Sequence, residues 1–339
     1  MSTGRSLRAL PKAHLHAHLE GSMRPSTLAE LADGYGMTVP ETSGYGDFPA
    51  FSAMYKTAAT VIRSDEDLAR VVSEVVEDAA LDGAVWIEPS FQPRMHADTF
   101  GSIDAVIDII VGAASDAATR FGIGVGLMIA GDRTEPPEHA SENARLAVKY
   151  ADRGVVSFGL ASDEAIGRPE WFVDSFDIAR EGGLLSTPHA GELAGPESIV
   201  VALDTLGADR LQHGVRAVED PALVDRLSAS TVCLDVCPSS NVMLRVVDSY
   251  ADHPLAQLLD AGVRCSVNAD DSLLFGPGLL DEYELCRTEF GFDDERMATV
   301  ARSSIEASGA SSEQIASGLL AIDDWLALPV TPDAATAST

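Results

Sequence analysis

The chain has 339 residues, 46% of them hydrophobic, enough to bury the core of one large domain or two ordinary ones. Its 53 acidic residues against 23 basic ones give a net charge of −30, which repels nucleic-acid phosphates and anionic membrane surfaces, so neither is expected as a partner. No apolar run approaches the length of a membrane helix, and the opening "MSTGRSLRALPK" has no apolar signal segment. Cys233, Cys237, Cys265 and Cys286 are too few for a disulfide framework and read as buried thiols, which points to a reducing, cytoplasmic setting.

In chain order, short apolar or alternating runs trade places with amphipathic helical stretches. The first run is "AHLHAHL" (13–19). Residues 22–80 follow; they are long for one crossover between strands and are expected to carry extra helices over one end of the fold. They close with "SDEDLARVVSEVVEDAALDG", where Ser64 and Asp67 suit a helix start, Leu68, Val71, Val72, Val75, Val76 and Ala79 keep helical spacing, and Gly83 suits the stop. Strand-like runs then recur at 84–90, 123–130, 155–161, 184–190, 210–214, 231–237 and 263–269. Helical stretches lie between them, among them "SIDAVIDIIVGAASDAATRFG" with Ser102 at its start, "RPEWFVDSFDIAREGG" and "DHPLAQLLDAG". Eight strand–helix units in an undivided chain predict an α/β fold, a (β/α)8 barrel in one domain over 1–325. The tail 326–339 is expected to be disordered.

The titratable residues fall where a barrel gathers its active site, at the C-terminal ends of the strands. His16 and His18 end the first strand, His189 the fifth, His213 the sixth, and Asp270 and Asp271 the eighth. Alternation along a strand puts both imidazoles of His-x-His on one face. With His189 and Asp270 they make a three-nitrogen, one-oxygen set suited to one zinc or similar divalent ion. Glu192 stands three residues beyond His189. With His213 it provides the pair needed when water attacks a carbon beside a ring nitrogen: one group to take or orient the water's proton, another to protonate the nitrogen. Asp271 is assigned to the substrate; its alternative is a helix N-cap.

The motifs "PKAHLHAHLEGS", "PHAGELAGPESI", "RLQHGVRAVED", "VCPSSNVML" and "SVNADDSLLFG", in this order, resemble those of the adenosine deaminase family over about residues 10–310. The resemblance implies one zinc ion per chain on His16, His18, His189 and Asp270. It also implies hydrolytic loss of ammonia from C6 of a small-molecule aminopurine. Glu192 then resembles the group that protonates purine N1, His213 the base for the attacking water, and Asp271 a contact to that water and to N7. His14, the first histidine of "HLHAH", shares their parity and is expected one layer deeper, facing inward as a structural residue. Some positions depart from the family's pattern. Glu20 stands where adenosine-specific members carry an Asp for the ribose 5′-hydroxyl. In "GLASDE", Gly159 and Ser162 replace Asp and Gly near the base-binding backbone, and Ser90 stands where Arg is common. These three, Glu20, Gly159 and Ser162, are the substrate-binding candidates. Adenosine or deoxyadenosine is the first expectation; adenine or a 5′-modified adenosine such as aminodeoxyfutalosine is the alternative. A barrel metallohydrolase acting on an ester or amide is a more distant one.

Overall fold

The computed structural model describes residues 4–329. Eight parallel strands follow one another around a barrel in chain order: β1 (Lys12–His18), β2 (Ala84–Phe91), β3 (Leu127–Asp132), β4 (Val155–Ala161), β5 (Leu185–Ala190), β6 (Arg210–His213), β7 (Cys233–Val236) and β8 (Arg264–Val267). All eight expected runs are strands. The third is split: Gly124–Val125 pairs with β2, Gly126 donates its N–H to Ile87 O, and β3 continues beyond. These runs are largely buried on both faces because a parallel barrel is packed inside by its own side chains and outside by helices.

The helices show their cause locally. In Asp65–Leu81, Ser64 Oγ accepts from Asp67 N and Asp67 Oδ2 accepts from Ser64 N, a reciprocal cap, and the six apolar residues expected to face the core are the buried ones. Ser102 caps Ile103–Phe121, and Gly122, at φ 68°, ends it in the left-handed conformation. The long segment after β1 contains the helices Pro25–Gly34 and Phe48–Ala59 before Asp65–Leu81. Phe48–Ala59 lies over the mouth and sends Phe48, Phe51, Ser52, Tyr55 and Lys56 into the cleft there. The final helix, Ser312–Ala327, runs two residues into the segment expected to be a disordered tail; residues 330–339 of that segment lie outside the described residues.

The seam between β8 and β1 is closed by single groups instead of a full ladder. The Asn268 side-chain oxygen accepts from Leu15 N (2.7 Å) and His16 N (3.2 Å). Asp270 N then donates to His16 O, and His18 N to Asp270 O. The residues that close the barrel are thus neighbours of the candidate ligands. At the floor, Arg210 is buried in ion pairs with Glu88 (2.7 Å) and Asp235 (3.0 Å), and Ser266 Oγ donates to Asp235.

Candidate active site

Four strands deliver the expected residues to one place. The ligand atoms of His16, His18 and His189 lie within 4.8 Å of one another. Asp270 Oδ1 is 3.2 Å from His16 Nε2 and 3.3 Å from His18 Nε2. Ligand atoms about 2.0–2.1 Å from a tetrahedral ion are themselves about 3.3 Å apart, so the spacing fits a zinc-sized centre. Proton placement agrees. His16 Nδ1 lies 3.1 Å from Asp235 O and His189 Nδ1 lies 3.0 Å from Leu160 O. A ring nitrogen facing a carbonyl carries the hydrogen, which leaves each Nε2 lone pair turned inward. His16 Nε2 is buried and makes no hydrogen bond. A buried nitrogen left without a partner is costly unless something binds it, and a cation does so.

His14 stands elsewhere. The register of β1 against β2 shifts between His14 and Ala17, so the alternation that would have aimed His14 into the barrel is broken. Its Nε2 accepts from Ala269 N at 3.2 Å, and it lines a small cavity with Val75, Ala79 and Leu279 on the helix side of the strand. The inward position expected for it is therefore corrected; its hydrogen-bonded partner is present.

The rest of the machinery surrounds the cluster. His213 Nε2 is 3.5 Å from Glu192 Oε1 and 3.8 Å from Asp270 Oδ2. Burial lowers the His213 pKa to about 3, so the ring is neutral at neutral pH. Burial, with Asp270, Glu164 and Asp271 nearby, pushes Glu192 well above the usual carboxylate range, so that it holds its proton at neutral pH. Asp270 and Asp271 part company. Burial alone would raise both, but His16 and His18 hold Asp270 well below its ordinary value, while burial and Asp270 push Asp271 well above. Asp271 sits at the N-cap of Ser272–Phe275 yet makes no capping bond, and its Oδ1 has no partner. The capping alternative is thereby set aside. Gly21 is what lets it fit: a Cβ there would lie 1.7 Å from Asp271 Oδ1.

Backbone strain marks the same place. Four non-glycine residues among those described have positive φ, and three of them are Ser162 (75°), His213 (68°) and Asp270 (60°). Such residues cost about 1–3 kcal/mol each and persist where surrounding structure enforces them. Ser162 borders the cleft, which has a volume of about 560 Å³ and is walled by Phe48, Phe51, Tyr55, Met95 and Leu244. The other two substrate candidates stand back from it. A Cβ on Gly159 would lie 2.8 Å from Met128 Sδ and 3.3 Å from Thr187 O, so this glycine serves strand packing. Glu20 is buried, with Oε1 2.7 Å from His96 Nε2 and Oε2 accepting from Tyr55 OH at 2.7 Å.

Glu164 is a residue the sequence did not single out. Its carboxylate accepts the N–H groups of Gly191, Glu192 and Ala194 and the Ser198 hydroxyl, and so shapes the loop that carries Glu192. Arg133, also buried, donates to His189 O and Gly167 O. Among 53 acids, one organising carboxylate has no local signature.

The adenosine deaminase family model matches residues 11–325. The chain belongs to the adenosine deaminase family. A Streptomyces coelicolor relative described as an adenosine/adenine deaminase is 43% identical over 96% of this chain and 99% of its own length. The solved structure of an adenine deaminase from Arthrobacter aurescens superposes with a TM-score of 0.88 at 31% identity, over 94% of this chain and 99% of that one. An amidohydrolase from Burkhoderia ambifaria, solved with bound zinc, gives 0.83 at 25% identity over 95% and 94%. The chain is thus an aminohydrolase of this family on its (β/α)8 barrel. No helix among the described residues is long and apolar enough to cross a membrane.

Proposed function

We propose that this deaminase acts on the free base adenine, releasing hypoxanthine and ammonia, with His16, His18, His189 and Asp270 holding one zinc ion. The observation that carries the substrate assignment is the engagement of Glu20. Both oxygens of the carboxylate that would meet a ribose 5′-hydroxyl are taken by His96 and Tyr55. Although burial works the other way, those two hydrogen bonds hold Glu20 below its ordinary pKa, so it is an ion satisfied by the protein alone. Glu20 is buried and does not line the cleft, whereas Tyr55, whose hydroxyl it accepts, does; a sugar hydroxyl would have to displace Tyr55 to reach it, which costs about 1–3 kcal/mol. This reading departs from the nucleoside first expected. The 31%-identical adenine deaminase supports it.

When bound, zinc supplies positive charge and brings the pKa of a water molecule to about 7. The chain's own residues do the rest. The aromatic and apolar walls of the cleft hold the flat ring. Asp271, raised by burial and by Asp270, presents a proton to N7. As the water oxygen bonds to C6, the C6–N1 π electrons move to N1, which takes the proton of Glu192. One proton of the water passes by way of Asp270 to the amine, the other returns to Glu192 as C6=O forms, and the C6–N bond breaks to release ammonia. His213 borders the attacking oxygen and handles it as a neutral ring.

The test is ammonia release from zinc-loaded protein with adenine, adenosine, 2′-deoxyadenosine and a 5′-substituted adenosine. We expect kcat/KM for adenine to exceed that for adenosine by about 100-fold or more, the discrimination given by polar groups that a wrong substrate must disturb. Equal or faster turnover of a nucleoside overturns the assignment.

A further inference from the structure

A chain of hydrogen bonds runs from a backbone amide behind β8 to the ring of His213. Leu255 N donates to His253 Nδ1 at 3.2 Å. His253 Nε2 lies 3.2 Å from Asn241 Oδ1, and Asn241 Nδ2 lies 3.2 Å from His213 Nδ1. His253, Asn241 and His213 are all buried.

The direction of this chain follows from its root. A backbone N–H can only donate, so His253 Nδ1 is an acceptor, and the neutral ring carries its hydrogen on Nε2. Burial lowers the His253 pKa to about 4, which keeps that ring neutral. His253 therefore donates to Asn241, whose amide must turn its oxygen to His253 and its NH2 to His213. His213 Nδ1 is then an acceptor, and the hydrogen of its neutral ring sits on Nε2. That nitrogen faces Glu192 and Asp270 at the reaction centre.

We propose that His253 is a positioning residue: through Asn241 it locks His213 in the Nε2–H tautomer, so that His213 meets the attacking water as a hydrogen-bond donor. This differs from the base that the family resemblance implies for His213. To accept a proton at Nε2, the ring would need its hydrogen on Nδ1. Asn241 would then have to flip and set its NH2 against the His253 N–H, two donors face to face in a buried site. His213 instead orients the oxygen's lone pair toward C6, and the water's proton passes to Asp270, whose Oδ2 lies on the same side, since Asp271 already holds a proton. The inference rests on the deaminase reading for its consequence; its tautomer does not depend on any substrate.

The experiment is nitrogen NMR of 15N-histidine-labelled full-length protein, both metal-free and zinc-loaded, with His213 assigned by comparison with His213→Gln. We expect a protonated Nε2 and a bare Nδ1. Asn241→Asp, which accepts from both neighbours, should move the proton to Nδ1. With the aminopurine that the wild type deaminates fastest, His253→Leu and Asn241→Asp should each lower kcat about 10- to 100-fold, the range for partners that orient a working group. Zinc content should be unchanged and KM should stay within about twofold; the double variant should lose no more than the worse single one. A protonated Nδ1 in the wild type, full kcat in His253→Leu, or losses that multiply would each overturn the proposal. Should His253→Leu fail to fold, the wild-type spectrum still decides. Should no aminopurine be deaminated, the function reading fails while the tautomer remains measured.

Discussion

As the proposed proton donor to N1, Glu192 must hold a proton when the substrate arrives. Its surroundings supply that condition: it is buried, and Asp270, Glu164 and Asp271 crowd it with negative charge. Replacing it with glutamine keeps size and hydrogen bonding but removes the transferable proton. Glu192→Gln should keep its zinc, measured by elemental analysis, and lose about 100-fold or more in kcat, measured by ammonia release, the usual share of a general acid. Near-normal turnover would remove Glu192 from its role. Because the folded pKa is raised, the wild type should lose activity as pH climbs through it, and in the variant this alkaline limb should be missing. At this scale, much of the site was legible. His16, His18, His189 and Asp270 converge as their places at strand ends foretold. His14 did not follow, because a register shift against β2 is set by the neighbouring strand and leaves no trace in the spacing of "HLHAH".

Among the elements, the loops after β4 and β5 form one unit. Glu164, beyond the end of β4, gathers three amides from the loop after β5 and the Ser198 hydroxyl from the helix Pro196–Asp204 that follows it. Ser162, two residues earlier, stands at φ 75° on the cleft wall. Two outcomes follow from their different physics. Ser162→Gly should relieve strain and raise stability by about 1 kcal/mol or less, since glycine takes this φ freely but loses more entropy on folding. Glu164→Gln should lower kcat with zinc retained, because an amide offers one oxygen where the carboxylate offers two, leaving a buried N–H unpaired at about 1–3 kcal/mol. Urea midpoints and single-substrate kinetics read both; a Glu164→Gln enzyme with unchanged kcat and midpoint would show that the loop needs no such anchor. The strand and helix pattern itself was readable because each element carries its own periodicity and caps, as Ser64 and Ser102 do. Glu164 was not, because an organising carboxylate and a solvated one look alike until the loop folds around it.

For the whole molecule, two buried titratable groups outside the proposed chemistry bias stability in opposite senses. Lys12, its Nζ held by Leu7 O and Leu10 O, has its pKa lowered to about 7 by burial. From about 7 to its unfolded value of 10.5 the unfolded chain binds a proton that the folded one lacks, so this group makes stability rise with pH. Glu282, buried beside Ser239, is raised to about 8 from 4.5, so between those values the folded chain holds the extra proton and stability falls with pH. Urea titrations from pH 5 to 9 should show Glu282→Gln gaining on the wild type up to about pH 8 and levelling beyond. Lys12→Met should lose the rise above about pH 7. Parallel curves for variant and wild type would refute either shift.

The repeating strand–helix units, the barrel they close into, and the gathering of His16, His18, His189, Glu192, His213, Asp270 and Asp271 at the strand ends could all be read from the sequence. These depend on local periodicity and on the rule that parallel strands present their C-terminal ends together. What each polar group faces emerges only when the chain has folded. Glu20 meets His96 across 76 residues, and Asn268 closes the seam to His16 across 252. Hydrogen bonds of that reach carry no periodicity, and their direction, donor to acceptor, exists only once both partners are buried together.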